Sequence, residues 1–116
     1  GKYVGLAVLG TTAGRGIKQV TVVDDDIDPA DPVQVEWATA TRVQPDRDIE
    51  ILSELPGIIL DPSLPRGEQR PRLTSKMIID ATRYDAKDFA PVCLPSAEAM
   101  TRVERDWSRY GIRREQ

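Results

Sequence analysis

The apolar positions of this chain come in short stretches, each bounded by glycine, proline or a charge run. Lys2 to Leu9 is apolar with Gly5 and Gly10 interrupting it, and Tyr3, Leu6, Ala7 and Val8 fall on one face if it is helical. Thr11 to Gly16 is a turn cluster. Lys18 to Val23 is β-branched, with glycine before it and acids after it, and predicts a strand. Asp31-Pro32 opens a helix, with Asp31 as N-cap, Pro32 at the first helical position and Gln34 completing a capping box. Val33, Glu36, Trp37, Ala40 and Thr41 share one face of it, and Pro45 ends it near Val43.

The second half is more broken. Asp48 to Leu52 predicts a short strand with Ile49 and Ile51 on one face, and Pro56 to Pro65 a loop holding Ile58, Ile59 and Leu60. Arg66 to Arg72 is polar, Met77 to Ile79 predicts a third strand, and Asp80 to Ala90 is irregular. A last helix starts after Ser96, carries Met100, Val103, Trp107 and Tyr110 at 3-4-3 spacing, and stops at Gly111. Strand–helix–strand order predicts an α/β domain: a small mixed or parallel sheet flanked by helices, with a right-handed crossover. A sheet of three short strands reads as incomplete, a domain whose beginning another chain or segment supplies.

Composition narrows the chemistry. A chain of 116 residues holds one domain. Its net charge of −3 lacks the basic footprint of a nucleic-acid binder, and its lack of histidine removes histidine catalysis and most zinc sites. The single cysteine, Cys93, lies between Pro91 and Pro95 and reads as a buried, inert thiol in a reducing, cytoplasmic setting. No apolar run approaches the roughly 20 residues of a membrane span, and no signal peptide is visible.

The loudest feature is Asp24, Asp25, Asp26 and Asp28 at the end of the first predicted strand, the edge where α/β sheets place ligands. Three readings compete. Aspartates can hold magnesium. They can cap a helix and pair with arginines. They can also form the acidic pair of a phospho-receiver: Val22 to Asp26 resembles the first strand of that family, and Ile58-Ile59-Leu60-Asp61 its acceptor strand, which makes Asp25, Asp26 and Asp61 the candidate site. Against the receiver, Pro29 and Pro32 delay the helix, no Lys-Pro pair occurs, and Pro56-Gly57 and Asp61-Pro62 suit a loop.

A second resemblance covers nearly the whole chain. Val22 to Pro29, then Trp37-Ala38-Thr39-Ala40-Thr41-Arg42-Val43, Pro45, Arg47-Asp48 and Ile49, together resemble the C-terminal domain of UbiD-family decarboxylases. Ser75-Lys76-Met77 with Ile79-Asp80-Ala81-Thr82, and the helix ending Trp107 to Gly111, are similar to later parts of that domain. The resemblance implies a lyase acting on aromatic or α,β-unsaturated carboxylic acids. Its cofactor is prenylated FMN with a divalent metal and potassium, all held by earlier domains that this chain lacks. It implies that the flavin-binding remainder is a partner, in the same polypeptide or another subunit, within a homo- or hetero-oligomer. Alone the chain is expected to bind no flavin or metal and to contribute no catalytic residue. Lys2 to Leu9 looks like the middle of a family helix, so the chain reads as a fragment or a natural subunit. Ile58, Ile59 and Leu60 resemble the family loop that lines the substrate pocket. Asp24, Asp25, Asp26, Asp28, Arg42, Arg47 and Lys76 are assigned to structure and interface: helix capping, and pairing of the acids with Arg42 or Arg47. The segment from Leu64 to Arg72 is longer and richer in arginine than the family loop.

Overall fold

The computed structural model describes residues 1–64, 73–85, 87 and 89–112. The Arg66 to Arg72 segment therefore lies outside the described residues. The elements run α1 (Lys2–Leu9), a 3-10 turn (Ala13–Gly16), β1 (Gln19–Val23), α2 (Pro32–Arg42), a one-turn α3 (Pro45–Asp48), β2 (Ile49–Pro56), β3 (Leu73–Ala81) and α4 (Ala97–Arg105). A second 3-10 turn (Trp107–Tyr110) follows α4 and ends at Gly111, whose φ of 66° suits glycine.

The sheet is small and mixed, in the order β1-β3-β2. β3 is central, parallel to β1 (Gln19 opposite Met77, Val23 opposite Ala81) and antiparallel to β2 (Ile49 opposite Ile79). β2 carries a bulge. Ile51 pairs with Met77 and Leu52 with Lys76, but Leu55 pairs with Thr74, so Ser53 and Glu54 together face Ser75. Glu54 takes φ 58°, in the left-handed region.

Two faces of β3 are covered by different helices. Ile79 and Ala81 point toward α2, where Ala81, Ala38 and Ile27 form the buried core with Val23, Val35, Trp37 and Val43 around them. Ile78 lies under α1, and a Cβ added at Gly5 would sit 2.5 Å from the Ile78 Cγ2. Only glycine lets the α1 backbone approach the sheet that closely. Gly14 is equally confined: its Cβ would lie 2.5 Å from the Val8 and Leu9 carbonyl regions, against the Val8 and Leu9 oxygens.

Several local expectations are corrected. The face α1 buries is Gly5, because backbone contact at that glycine leaves Tyr3, Leu6 and Val8 outside. α2 buries Ala38 and Arg42, not Val33, which is exposed; the stripe contains a buried cation that an apolar pattern does not mark. Gln34 does not close a capping box on Asp31. Its Oε1 accepts the Asp28 N–H (3.1 Å), while Asp31 accepts the Val33 and Gln34 N–H groups at 2.9 and 3.4 Å. Asp48 belongs to α3, where it accepts the Gln44 N–H at 2.8 Å, and β2 runs on to Pro56. β3 spans Leu73–Ala81, well beyond Met77 to Ile79. Cys93 is exposed, because the stretch between Pro91 and Pro95 has no regular structure and no core beneath it.

Candidate functional site

Chemistry-bearing side chains gather at the two opposite ends of the parallel pair β1 and β3. At the carboxyl end, β1 runs into the acidic cluster, and Arg42 reaches it from the last turn of α2. The Arg42 side chain is 1% exposed, and its guanidinium donates to both Asp26 oxygens (Nη1 3.0 Å, Nη2 2.8 Å) and to Asp24 Oδ2 (3.2 Å). It also lies over the Trp37 and Phe89 rings, at 5.3 and 5.7 Å from their centroids. Arg83 adds a second cation: its N–H and Nε both donate to Asp24 Oδ2, at 2.8 and 3.2 Å. The Arg42 hydrogen bonds hold the Asp26 carboxyl below the usual carboxylate range.

The four aspartates thus have separate roles. Asp24 and Asp26 neutralise arginines, and Asp28 accepts the Ala30 N–H at 2.9 Å in the turn before α2. Asp25 is exposed and makes no ion pair among the described residues. Arg47 does not reach the cluster. It pairs with its neighbour Asp48 at 2.7 Å and stacks over Tyr84. Two arginines already occupy Asp24 and Asp26, so these carboxylates do not form an open cation site. Among the described residues no group of three or more histidines, cysteines or acids is placed to hold a metal ion.

At the amino end the pieces differ. Lys76 projects from β3 and is 3% exposed; its Nζ donates to the Gly14 carbonyl and, at 3.0 Å, to that of Arg15. It thus caps the 3-10 turn that leads into β1, and burial lowers its pKa. Next to it, Asp61 Oδ2 meets Lys18 Nζ at 3.0 Å and accepts the Thr74 hydroxyl at 3.2 Å. The loop just before Asp61 carries Ile58, Ile59 and Leu60, all outside the core. Ile59 is 71% and Leu60 81% exposed. A hollow of about 170 Å³ lies beside them, lined by Arg15, Lys18, Ile58, Leu60, Asp61 and Thr74.

This arrangement overturns the receiver alternative. A phospho-acceptor must share a pocket with its acidic pair. Here Asp61 bonds Lys18 and Thr74, which precede and open the parallel strands, whereas Asp25 and Asp26 follow the last residue of β1. At ~3.3 Å per residue the two ends lie roughly 20 Å apart. Arg83 and Phe89 complete the carboxyl-end cluster without any mark in the sequence: both sit in the irregular stretch after β3, where no periodicity singles them out.

Three comparisons bear on this geometry. Residues 1–81 match the family model described as the 3-octaprenyl-4-hydroxybenzoate carboxy-lyase C-terminal domain. The chain is 44% identical over 106 residues to the anhydromevalonate phosphate decarboxylase of Methanothermobacter thermautotrophicus, covering 90% of this chain and 21% of that protein. It is 43% identical over 82 residues to the phenolic acid decarboxylase of Bacillus subtilis, covering 70% of this chain and 16% of that one. Among solved structures it is similar to the UbiD-class enzyme HmfF of Pelotomaculum thermopropionicum in complex with FMN. There the TM-score is 0.62 at 36% identity, over 81% of this chain and 20% of that one. The chain spans less than a quarter of the length of each of these relatives.

Proposed function

Because the chain belongs to the family of UbiD C-terminal domains, we propose that it is the assembly and substrate-pocket module of a UbiD-like decarboxylase. The substrate class is aromatic or α,β-unsaturated carboxylic acids. The cofactor is prenylated FMN, with a divalent metal and potassium, and it supplies the decarboxylation chemistry. Asp24 and Asp26 do not fit as holders of the metal, because arginines already occupy them. In this reading the flavin site belongs to the remainder of the enzyme, in the same polypeptide or another subunit, and the chain alone turns nothing over. The compartment proposed for it is the cytoplasm. Separately, among the described residues no helix is long and apolar enough to cross a membrane.

One observation carries this reading: the exposed apolar triplet Ile58, Ile59 and Leu60 at the open amino end of the sheet. Apolar side chains held in water at a loop tip are stabilised when a ring or chain packs on them. In a pocket they also exclude water from the reacting acid. Two further apolar surfaces favour the assembly role. Tyr3 and Val4 on α1, and Met100 and Tyr110 along the α4 stripe, are exposed in this chain rather than core. The chain's radius of gyration is 20.2 Å, against about 13 Å for a self-contained domain of this size.

The test is made on the assembled enzyme. Native mass spectrometry is expected to find the 12.9 kDa sequence travelling with a flavin-binding region and a prenylated flavin mass. Ile59→Ser and Leu60→Ser are expected to raise KM for the acid substrate with the flavin still bound. Decarboxylation by this chain alone, with flavin on it, would overturn the proposal.

A further inference from the structure

The triplet sits on a loop that leaves an edge strand, and such loops are ordinarily loose. Several of its hydrogen bonds converge on Asp61. The Asp61 N–H donates to the Ile58 carbonyl (3.1 Å), and the Asp61 carbonyl accepts the Leu64 N–H (3.3 Å). The carboxylate divides its two oxygens. Oδ1 organises the turn, accepting the Ser63 N–H at 3.0 Å and the Ser63 hydroxyl at 2.7 Å. Oδ2 reaches out of the loop to Lys18, just before β1, and to Thr74, inside β3. Lys18 Nζ also donates to Ser63 Oγ, closing the circuit. The Asp61 side chain is 6% exposed, so the carboxylate is enclosed by its donors and by the loop.

From these contacts we infer that Asp61 is a positioning residue: a latch that ties the loop carrying Ile58, Ile59 and Leu60 to the amino ends of β1 and β3. This rests on the reading of the triplet as pocket lining. The latch explains how a loop whose outer side chains are exposed holds a defined shape. A charge-assisted tether to two strands fixes the loop at its base, and Ile59 and Leu60 are then presented outward before any substrate arrives. Preorganisation of that kind lowers the cost of binding and shows in KM. Asparagine at 61 keeps the shape but removes the charge, so that the ammonium of Lys18 and the hydroxyls of Ser63 and Thr74 face a weaker acceptor.

The experiment is amide hydrogen exchange on the assembled enzyme, comparing wild type with Asp61→Asn, Thr74→Val and Thr74→Ser. The Asp61, Ser63 and Leu64 amides report on the loop, and those of Lys76 to Ala81 on the sheet. Asp61→Asn and Thr74→Val are expected to speed loop exchange about tenfold with β3 unchanged, and Thr74→Ser to restore it. For the acid turned over fastest in a screen of hydroxybenzoic and cinnamic acids, both variants are expected to raise KM about tenfold while kcat stays within about twofold. Unchanged loop exchange in Asp61→Asn overturns the latch. Loop and β3 amides speeding together also overturn it, since Asp61 would then be a general support of the fold. If the loop amides speed up and KM does not move, the latch stands and the failure belongs to the pocket reading of Ile58, Ile59 and Leu60.

Discussion

The two ends of the parallel pair show how differently one short sheet treats charge. At the carboxyl end the cation is buried, the acids stand partly in water, and the aromatic rings of Trp37 and Phe89 flank the pair. At the amino end the acid is enclosed and its cation partner, Lys18, is half exposed. The first arrangement ties α2 and the segment after β3 to the core, so it serves the fold. The second ties a loop tip to the strand ends, so it serves what the loop presents. Both are ion pairs; what each pair fastens sets its role.

That contrast predicts its own breaking points. The largest effect is expected for Arg42→Met, which takes the buried partner from Asp26 and leaves Asp24 with Arg83 alone. Discounted for the partial exposure of both acids, the loss is about 3 kcal/mol in urea unfolding, above that expected for breaking the Asp61–Lys18 pair. An Arg42→Met variant as stable as wild type would dissolve the distinction between the two ends. Gly14→Ala comes next. Its methyl would press on the Val8 and Leu9 carbonyls beside the turn that Lys76 caps, for about 2 kcal/mol. Acid sharpens the comparison. Asp26 is depressed by its Arg42 bonds, and Asp61 by its bonds to Ser63 and then Lys18. A carboxylate with a lowered folded pKa contributes stability that is present above its unfolded value, about 4, and lost as pH falls through the folded value. Thermal melts are therefore expected to decline below about pH 4, and Asp61→Asn to flatten only part of that slope. The smallest effect is a gain: Glu54→Gly relieves the left-handed backbone at the bulge, raising stability by about 0.5–1 kcal/mol.

The sequence disclosed those elements whose signals are local. Asp31-Pro32 announces α2 because capping needs only neighbours, and β1 stands out as a β-branched run between glycine and acids. Of β3 only Met77 to Ile79 stands out in the sequence, because its buried positions include Thr74 and Lys76 and a period-2 pattern assigns polar residues to the solvent side. The buried face of α2 is hidden for a related reason: its deepest contacts are Ala38 and Arg42, whose burial depends on partners elsewhere. Of the candidate site, the family resemblance brought the triplet and the acids to attention. It did not reveal that the carboxylates of Asp24 and Asp61 work at opposite ends, because that follows from a parallel pairing between residues about 60 positions apart.

The bulge in β2 has a consequence in arithmetic. Before Ser53 and Glu54, odd-numbered residues of β2 share a face with odd-numbered residues of β3; after them, Leu55 sits opposite Thr74 and the parity is reversed. The aim of everything downstream is thus a matter of counting, set by one supernumerary residue about five positions before Ile58. Homologues that lengthen or shorten the stretch between Leu52 and Leu55 by a single residue would turn the loop's launching strand over like a two-position ratchet. Those that change it by two would keep the aim and alter only the reach.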